Sequence, residues 1–356
     1  MTITQYAKRK KIEKLTVKVS SWNDVARWFM KGIKKKNMPE SWILDLRSGE
    51  VIIYTPARKN REKKSNECPI CNDNGEIHNF KTKDLESRTD DNQKAIAYVS
   101  PNKFPYLVPN GIHNIKTGEL LKGGSFVLWW NTHTDIHEMS YEDNKRILEL
   151  AAETEELFLH TGKGYEKLQK NKEHRGYFQM IKNRGKAVAS SIEHGHYQIA
   201  YSNIVPKRIK EDIEFEKRED ESFSSYLLRE NPKELEIKDY GKVVSLIPES
   251  AMRRNLEAMI LVKDIGKKNL HELDDEEKMG LAMALKDVTL ALSGIMPKYE
   301  KEFAYNIEFH TGIEGMYIEI LPYTQANGGF EKIGQFWACQ SHPKSAAETY
   351  RKNLRK

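Results

Sequence analysis

Two imidazoles and a carboxamide alternate with other side chains in His194-Gly195-His196-Tyr197-Gln198. In an extended strand, side chains at i, i+2 and i+4 share one face, so these three would stand in a row about 7 Å apart. That row is a reactive ridge. The stretch before it, Asn183-Arg184-Gly185 to Ser190-Ser191, reads as a loop running into the strand. Gly185 permits a tight turn or a close backbone approach to a ligand. The hydroxyls and N–H groups of Ser190 and Ser191 could hold phosphate oxygens.

A second chemical signal is Cys68-Pro69-Ile70-Cys71. This spacing suits a zinc knuckle or a redox pair. A redox pair should open a helix, whereas Asn72-Asp73-Asn74-Gly75 follows here and is turn chemistry. Zinc is therefore the expected occupant. No second Cys-x-x-Cys exists, so histidines must complete a tetrahedral set. Upstream, Pro56-Ala57-Arg58-Lys59-Asn60-Arg61 places basic side chains just after a strand, where they could grip phosphate or simply be solvated.

The elements that must position these groups follow from periodicity. Ser20 to Ile33 is expected to form an amphipathic helix with Trp22, Val25, Trp28 and Phe29 near one face. Trp42 to Thr55 alternates around Ser48-Gly49 as a hairpin. Strands are expected over 95–100, 125–130 and 177–181. Ser140 and Asp143 open a helix running to about Gly162. Lys207 to Lys238 is strongly charged and reads as a solvated helix or a connector. Beyond it, strands (243–247, 257–262), a helix (274–293, ending at Gly294) and two strands (303–309, 316–321) repeat the order of the first half.

The 356 residues suit two domains or one large domain with an internal repeat. With 38% hydrophobic and 31% charged residues, the composition is that of a folded chain rather than a disordered one. The apolar runs are too short to span a bilayer, and the Lys/Arg-rich N-terminus has no apolar signal core. Three cysteines do not make a disulfide framework, which implies a reducing, cytoplasmic setting with no membrane partner. The charge of +6 fits a phosphate-bearing ligand or a lysine-rich surface equally well.

Taken in order, Pro56-x-Arg58-x-x-Arg61, Cys68-x-x-Cys71-x-x-Asn74, Asn102-x-Phe104, Asn183-x-Gly185 and Ser191-x-x-His194-x-His196-x-Gln198 resemble the galactose-1-phosphate uridylyltransferase family. This is the nucleotidyl-transferring branch of the histidine-triad superfamily. The match runs from about Asp45 to Pro322. The resemblance implies an α+β fold: a tandem pair of histidine-triad-like units, antiparallel sheets with packed helices, forming one pseudo-symmetric body. Its divisions would be a basic extension over 1–40, a catalytic zinc-bearing domain over 41–206, a charged connector over 207–240 and a degenerate second domain over 241–356.

The resemblance further implies that His196 attacks the α-phosphorus of a nucleotide-sugar and carries the nucleotidyl group until a second phosphate removes it. A backbone carbonyl is expected to fix the tautomer of His196. Gln198 and Ser191 would assist at the phosphoryl oxygens. Arg58, Arg61, Asn74, Asn102, Asn183, Ala189 and Ser190 would join them in binding substrate. Cys68, Cys71, His133 and His194 would hold one structural Zn2+, with His137 the neighbour to be distinguished from His133.

A second metal site occurs in some members of the family. Its positions fall at Asp212, His310, Tyr317 and Glu319, where one histidine has become Tyr and another Glu, so the site is expected to be lost or altered. Lys103 stands where the family has an aspartate near the nucleoside, and Trp337-Ala338 where it has a hexose-binding Tyr-Glu. The leading expectation is therefore nucleotidyl transfer between a nucleotide or nucleotide-sugar and a phosphate-bearing acceptor, by a homodimer. Phosphorolysis by adenylyl or guanylyl transfer to phosphate is the first alternative. Hydrolysis is the second, and Gln198 weighs against it, since hydrolytic relatives carry a third histidine there. A zinc-containing RNA-binding protein is the weakest, because no recognition module supports a nucleic-acid partner.

Overall fold

In the computed structural model of the chain, the described residues are 22–60, 68, 85–86, 96–161, 176–190 and 192–354. Residues 1–21 of the basic extension, and Arg61, Cys71, Asn74 and Ser191, lie outside them. The chain forms two compact units. The first comprises Met1–His133, Leu150–Met180 and His194–Lys210, and the second Thr134–Glu149, Ile181–Glu193 and Glu211–Lys356. The units thus interleave along the sequence, with 134–149 and 181–193 given to the second, instead of meeting once near 206–241.

In the first unit, helix α1 (Trp22–Gly32) buries Trp22, Val25, Trp28 and Phe29, as its apolar spacing predicts. Trp28 stacks on Phe126 at 5.5 Å, so this face belongs to the core. Strands β1 (Ser41–Leu44) and β2 (Val51–Tyr54) form the expected hairpin, registered Leu44 to Val51. Strands β3 (Leu85–Glu86), β4 (Ala97–Pro101), β7 (Gly123–Trp130) and β9 (His196–Ser202) follow one another in an antiparallel sheet, and β5 (Ile112–His113) pairs with β6 (Leu120–Leu121). Every residue of β7 is buried. A strand covered on both faces reads as a continuous apolar run, which is why Phe126 to Trp130 shows no alternation.

Helix α2 (Tyr141–Thr161) starts where Ser140 Oγ accepts from the Asp143 amide at 3.0 Å. Strand β8 (Tyr177–Arg184) is longer than the periodicity predicts and lies next to β9. Of the two expectations for the charged stretch after Lys207, a helix or a connector, the structure shows the helix. The stretch folds as α3 (Lys207–Glu219), α4 (Phe223–Glu230) and β10 (Glu236–Asp239), anchored by buried Ile209, Leu227, Leu235 and Ile237. The four buried apolar residues are widely spaced among many charges and gave little periodic signal.

The second unit carries an antiparallel run in the order β10, β11 (Val243–Leu246), β12 (Ala258–Val262), β14 (Tyr317–Pro322), β13 (Tyr305–His310). Helix α5 (Asp275–Ile295) is capped by Asp274, whose side chain accepts from the Glu277 amide at 2.8 Å. It passes through Gly294 instead of ending there. Its length and composition would also suit a membrane crossing, but Leu281, Leu285, Val288 and Leu292 are buried in the unit's own core. Two further helices, α6 (Gly329–Gly334) and α7 (Pro343–Leu354), close the chain. Helix, strand, glycine turn and strand recur in sequence as α2–β8–Gly185–β9 and α5–β13–Gly312–β14. The α+β class and its antiparallel sheets are those expected.

Candidate active site

The three-residue ridge divides. His196 and Gln198 lie on β9, whereas His194 sits in a bend just before it. The reason is Gly195. A Cβ at this position would fall 2.1 Å from the indole of Trp130, so the backbone passes against that ring and straightens only afterwards. His194 is fully buried, and its Nε2–H donates to the carbonyl of Trp130 at 2.6 Å. That bond puts the lone pair on Nδ1, which faces Cys68 Sγ at 3.9 Å.

His133 completes a triplet with these two, all ligand atoms lying within 4.8 Å of one another. Sulfur and nitrogen ligands on one tetrahedral zinc lie roughly 3.5 Å apart, so the set fits that ion with a small contraction. The hydrogen bond to Trp130 is the outer partner that orients a ligating histidine. His137 is not part of this set. It belongs to the second unit, where its ring meets Phe303 edge-on at 5.1 Å and burial lowers its pKa.

His196 is buried beside Trp129, with ring centroids 4.7 Å apart and 34° between planes. Its Nδ1–H donates to the carbonyl of His194 at 2.8 Å. In the neutral ring this leaves Nε2 unprotonated. Gln198, two residues along the same face, is half-buried and pairs across to Val127.

Arg58 is brought to the Asn102–Phe104 turn. Its Nη1 donates to the Phe104 carbonyl at 2.9 Å, and the guanidinium lies 5.5 Å from the Tyr106 ring. Asn102 is buried, and its side-chain oxygen accepts from the Phe104 amide at 3.0 Å. Burial lowers the pKa of Arg58, yet a guanidinium remains charged.

In the second unit, Asn183 accepts from Asn306 Nδ2 at 2.6 Å. Ala189 is left-handed, with φ +62°. Ser190 donates its hydroxyl to the Ile192 carbonyl at 3.0 Å and its amide to Gly185 at 3.1 Å. Glu302 accepts from the amides of Lys186 (2.6 Å) and Ala187 (3.2 Å), so the loop's first donors are held internally. Gly185 has φ +91°, and a Cβ there would meet Ala304 at 2.5 Å, so both conformation and space require glycine.

Sequence reasoning missed three supports. Trp130 acts through its backbone carbonyl, which no residue type announces. Glu302 lies more than a hundred positions from the loop it caps. Asp135 is buried between Lys182 Nζ at 3.0 Å and Arg184. Burial opposes its charge, but the two cations outweigh burial and hold its carboxyl below the usual range.

The second expected metal position is rearranged. Tyr317 donates its hydroxyl to Asp212 Oδ1 at 2.9 Å and stacks on His310 at 4.3 Å, so the phenol is committed to the carboxylate. Glu308, absent from the expected set, joins His310 and Glu319 within 4.8 Å. Burial disfavours charge on His310, but Asp212 and Glu319 outweigh it and raise the imidazole to about 9.

No protein-family model matches the chain, and no curated protein matches it in sequence. Solved structures do match. A uridylyltransferase aligns with TM-score 0.68 at 20% identity, covering 89% of this chain and 99% of that one. An ADP-glucose phosphorylase from Arabidopsis thaliana with bound ADP-glucose aligns with TM-score 0.63 at 20% identity, covering 88% and 98%. A GalT-like protein from the same plant gives TM-score 0.62 at 20% identity, with 88% and 99% covered. The chain has the fold of these uridylyltransferase-like proteins.

Proposed function

We propose that this protein is a nucleotidyltransferase that carries a nucleotidyl group on His196, moving it from a nucleotide-sugar or related nucleotide to a phosphate-bearing acceptor. One observation carries the reading. The Nδ1–H of His196 is held by the His194 carbonyl, so Nε2 keeps its lone pair on the strand face that also bears Gln198. A ring fixed in this tautomer is a ready nucleophile. The fold and the order of the sequence motifs support the same reading.

The Nε2 lone pair attacks the α-phosphorus, and the bond to the leaving phosphate oxygen breaks with its electron pair. A second phosphate then reverses the step. Gln198 donates to a phosphoryl oxygen, and Arg58 and Arg61 keep the phosphate-binding roles that the resemblance implies, dispersing charge that grows in the transition state. Asn74, Asn102, Asn183, Ala189, Ser190 and Ser191 keep the binding roles that the resemblance implies. Cys68, Cys71, His133 and His194 hold one zinc. A site with four protein ligands is structural and stiffens the bend that aims His196.

Phosphorolysis is the second reading. Ala338 supplies no carboxylate where the resemblance implies a partner for sugar hydroxyls, and that loss favours phosphate itself over a hexose phosphate as acceptor. Intact mass spectrometry after incubation with UDP-glucose, ADP-glucose, GDP-sugars and dinucleotides distinguishes the donors by the mass added. A mass increment that matches no nucleotidyl group, or none with any donor, counts against the proposal.

A further inference from the structure

Trp129 lies against the reacting ring, and the proposed chemistry does not yet use it. It stands on β7 directly across from His196 on β9. The indole is buried, and its N–H donates to the buried hydroxyl of Ser100 at 3.1 Å, which fixes the ring plane. The same indole also faces His194, with ring centroids 6.1 Å apart at 63°. One aromatic ring therefore touches both the nucleophile and a zinc-ligating histidine.

The electron balance of the covalent step gives this contact a task. When Nε2 forms its bond to phosphorus, the leaving oxygen departs with the electrons of the broken bond. The Nδ1–H stays in place, because a backbone carbonyl accepts a hydrogen bond but does not take the proton. The ring is then substituted at Nε2, protonated at Nδ1 and positively charged. An aromatic face within about 6 Å attracts a cation, more strongly where water is excluded. Indole is the best of the aromatic side chains for this.

We infer that Trp129 is a positioning residue that stabilises the nucleotidyl-imidazolium of His196 through its indole face, with Ser100 setting the plane of that face. The inference rests on the covalent reading above. Its effect belongs to the intermediate and to the transition states on either side of it, so it moves the rate of adduct formation more than donor binding.

The experiment follows adduct formation by rapid quench and mass spectrometry, and tryptophan emission by stopped flow, using the donor that labels the wild type. Trp129→Met fills the space without a ring, and Trp129→Phe keeps a weaker aromatic face. The adduct should form roughly 3- to 30-fold more slowly than in wild type in Trp129→Met, and more slowly by a smaller factor in Trp129→Phe. The donor concentration giving half-maximal rate should stay the same. The wild type should also show an emission change synchronous with the adduct, because a cation forms against an indole, and Trp129→Phe should lack it. Adduct formation at the wild-type rate in Trp129→Met overturns the inference alone, as does a full emission change in Trp129→Phe. If Trp129→Met loses its fold, the wild-type emission trace decides, and a flat trace during adduct formation refutes the contact. An unlabelled wild type overturns the covalent reading itself, and the inference with it.

Discussion

Replacing Gly195 with alanine adds one methyl group between the two histidines, and the structure says where it goes. It would lie 2.1 Å from the Cε2, Cζ2 and Nε1 atoms of Trp130. Comfortable contact needs about 3.5 Å, so the indole or the bend must retreat by roughly 1.4 Å. Trp130 is fully buried and packs edge-on to Tyr197 at 5.5 Å, so neither side yields freely. Overpacking of this kind costs about 1–3 kcal/mol.

The functional cost should be larger than the stability cost. The two hydrogen bonds that set the tautomers, His194 to the Trp130 carbonyl and His196 to the His194 carbonyl, both lie within one residue of the clash. Misplacing a reacting group by about 1 Å can cost about 100-fold in rate. Gly195→Ala should therefore lower the urea midpoint modestly, weaken zinc retention and slow labelling of His196 about 100-fold. Urea denaturation, metal analysis and quenched labelling read the three effects. Wild-type values for stability and labelling rate together would refute the idea that close passage of the backbone at residue 195 sets the histidine geometry.

Other perturbations separate the remaining parts. Cys68→Ala should lose zinc and stability together, read by metal analysis and thermal melts, while His196→Ala keeps its zinc and loses turnover by on the order of 10⁴ or more. Gln198→Ala should lower the labelling rate by roughly 10²–10³ without changing zinc content, the usual effect of removing one transition-state donor. Asp135→Asn leaves the buried Lys182 ammonium without its carboxylate and should cost about 3–5 kcal/mol in urea denaturation. Because the carboxyl of Asp135 titrates below its ordinary 3.8, its stabilisation is present above that pH and is lost on acidification through the folded value, so the variant should lose this part of the acid sensitivity. His310 behaves oppositely. Its stabilisation is complete below 6.5 and disappears as pH rises through about 9, so melting of His310→Gln should be flatter than wild type across that window.

Local patterns carried much of this architecture. The Trp22–Phe29 stripe, the Ser48-Gly49 turn and the Ser140–Asp143 cap each state their element within a few residues, because helix faces, turns and caps depend on near neighbours. His196 and Gln198 were legible for the same reason, since alternation in a strand is local. His194 was not, because the indole that forces the bend at Gly195 comes from another strand. The interleaving of the two units was equally hidden. Residues 134–149 join the second unit through contacts such as Tyr141 with Asp287, which no spacing along the chain reveals. The rearranged cluster was legible only in part: Glu308 shares a face of β13 with His310 by simple alternation, but Glu319 comes opposite Glu308 only through the pairing of β13 with β14.

The central claim is that His196 carries the nucleotidyl group, and fragmentation of the labelled protein tests it most directly. The wild type, trapped with whichever donor labels it and digested under alkaline conditions that spare phosphoramidates, should yield one modified peptide with the nucleotide mass on His196, and His196→Ala should yield none. A nucleotide mass on any other residue, or a label that survives in His196→Ala, would contradict the account.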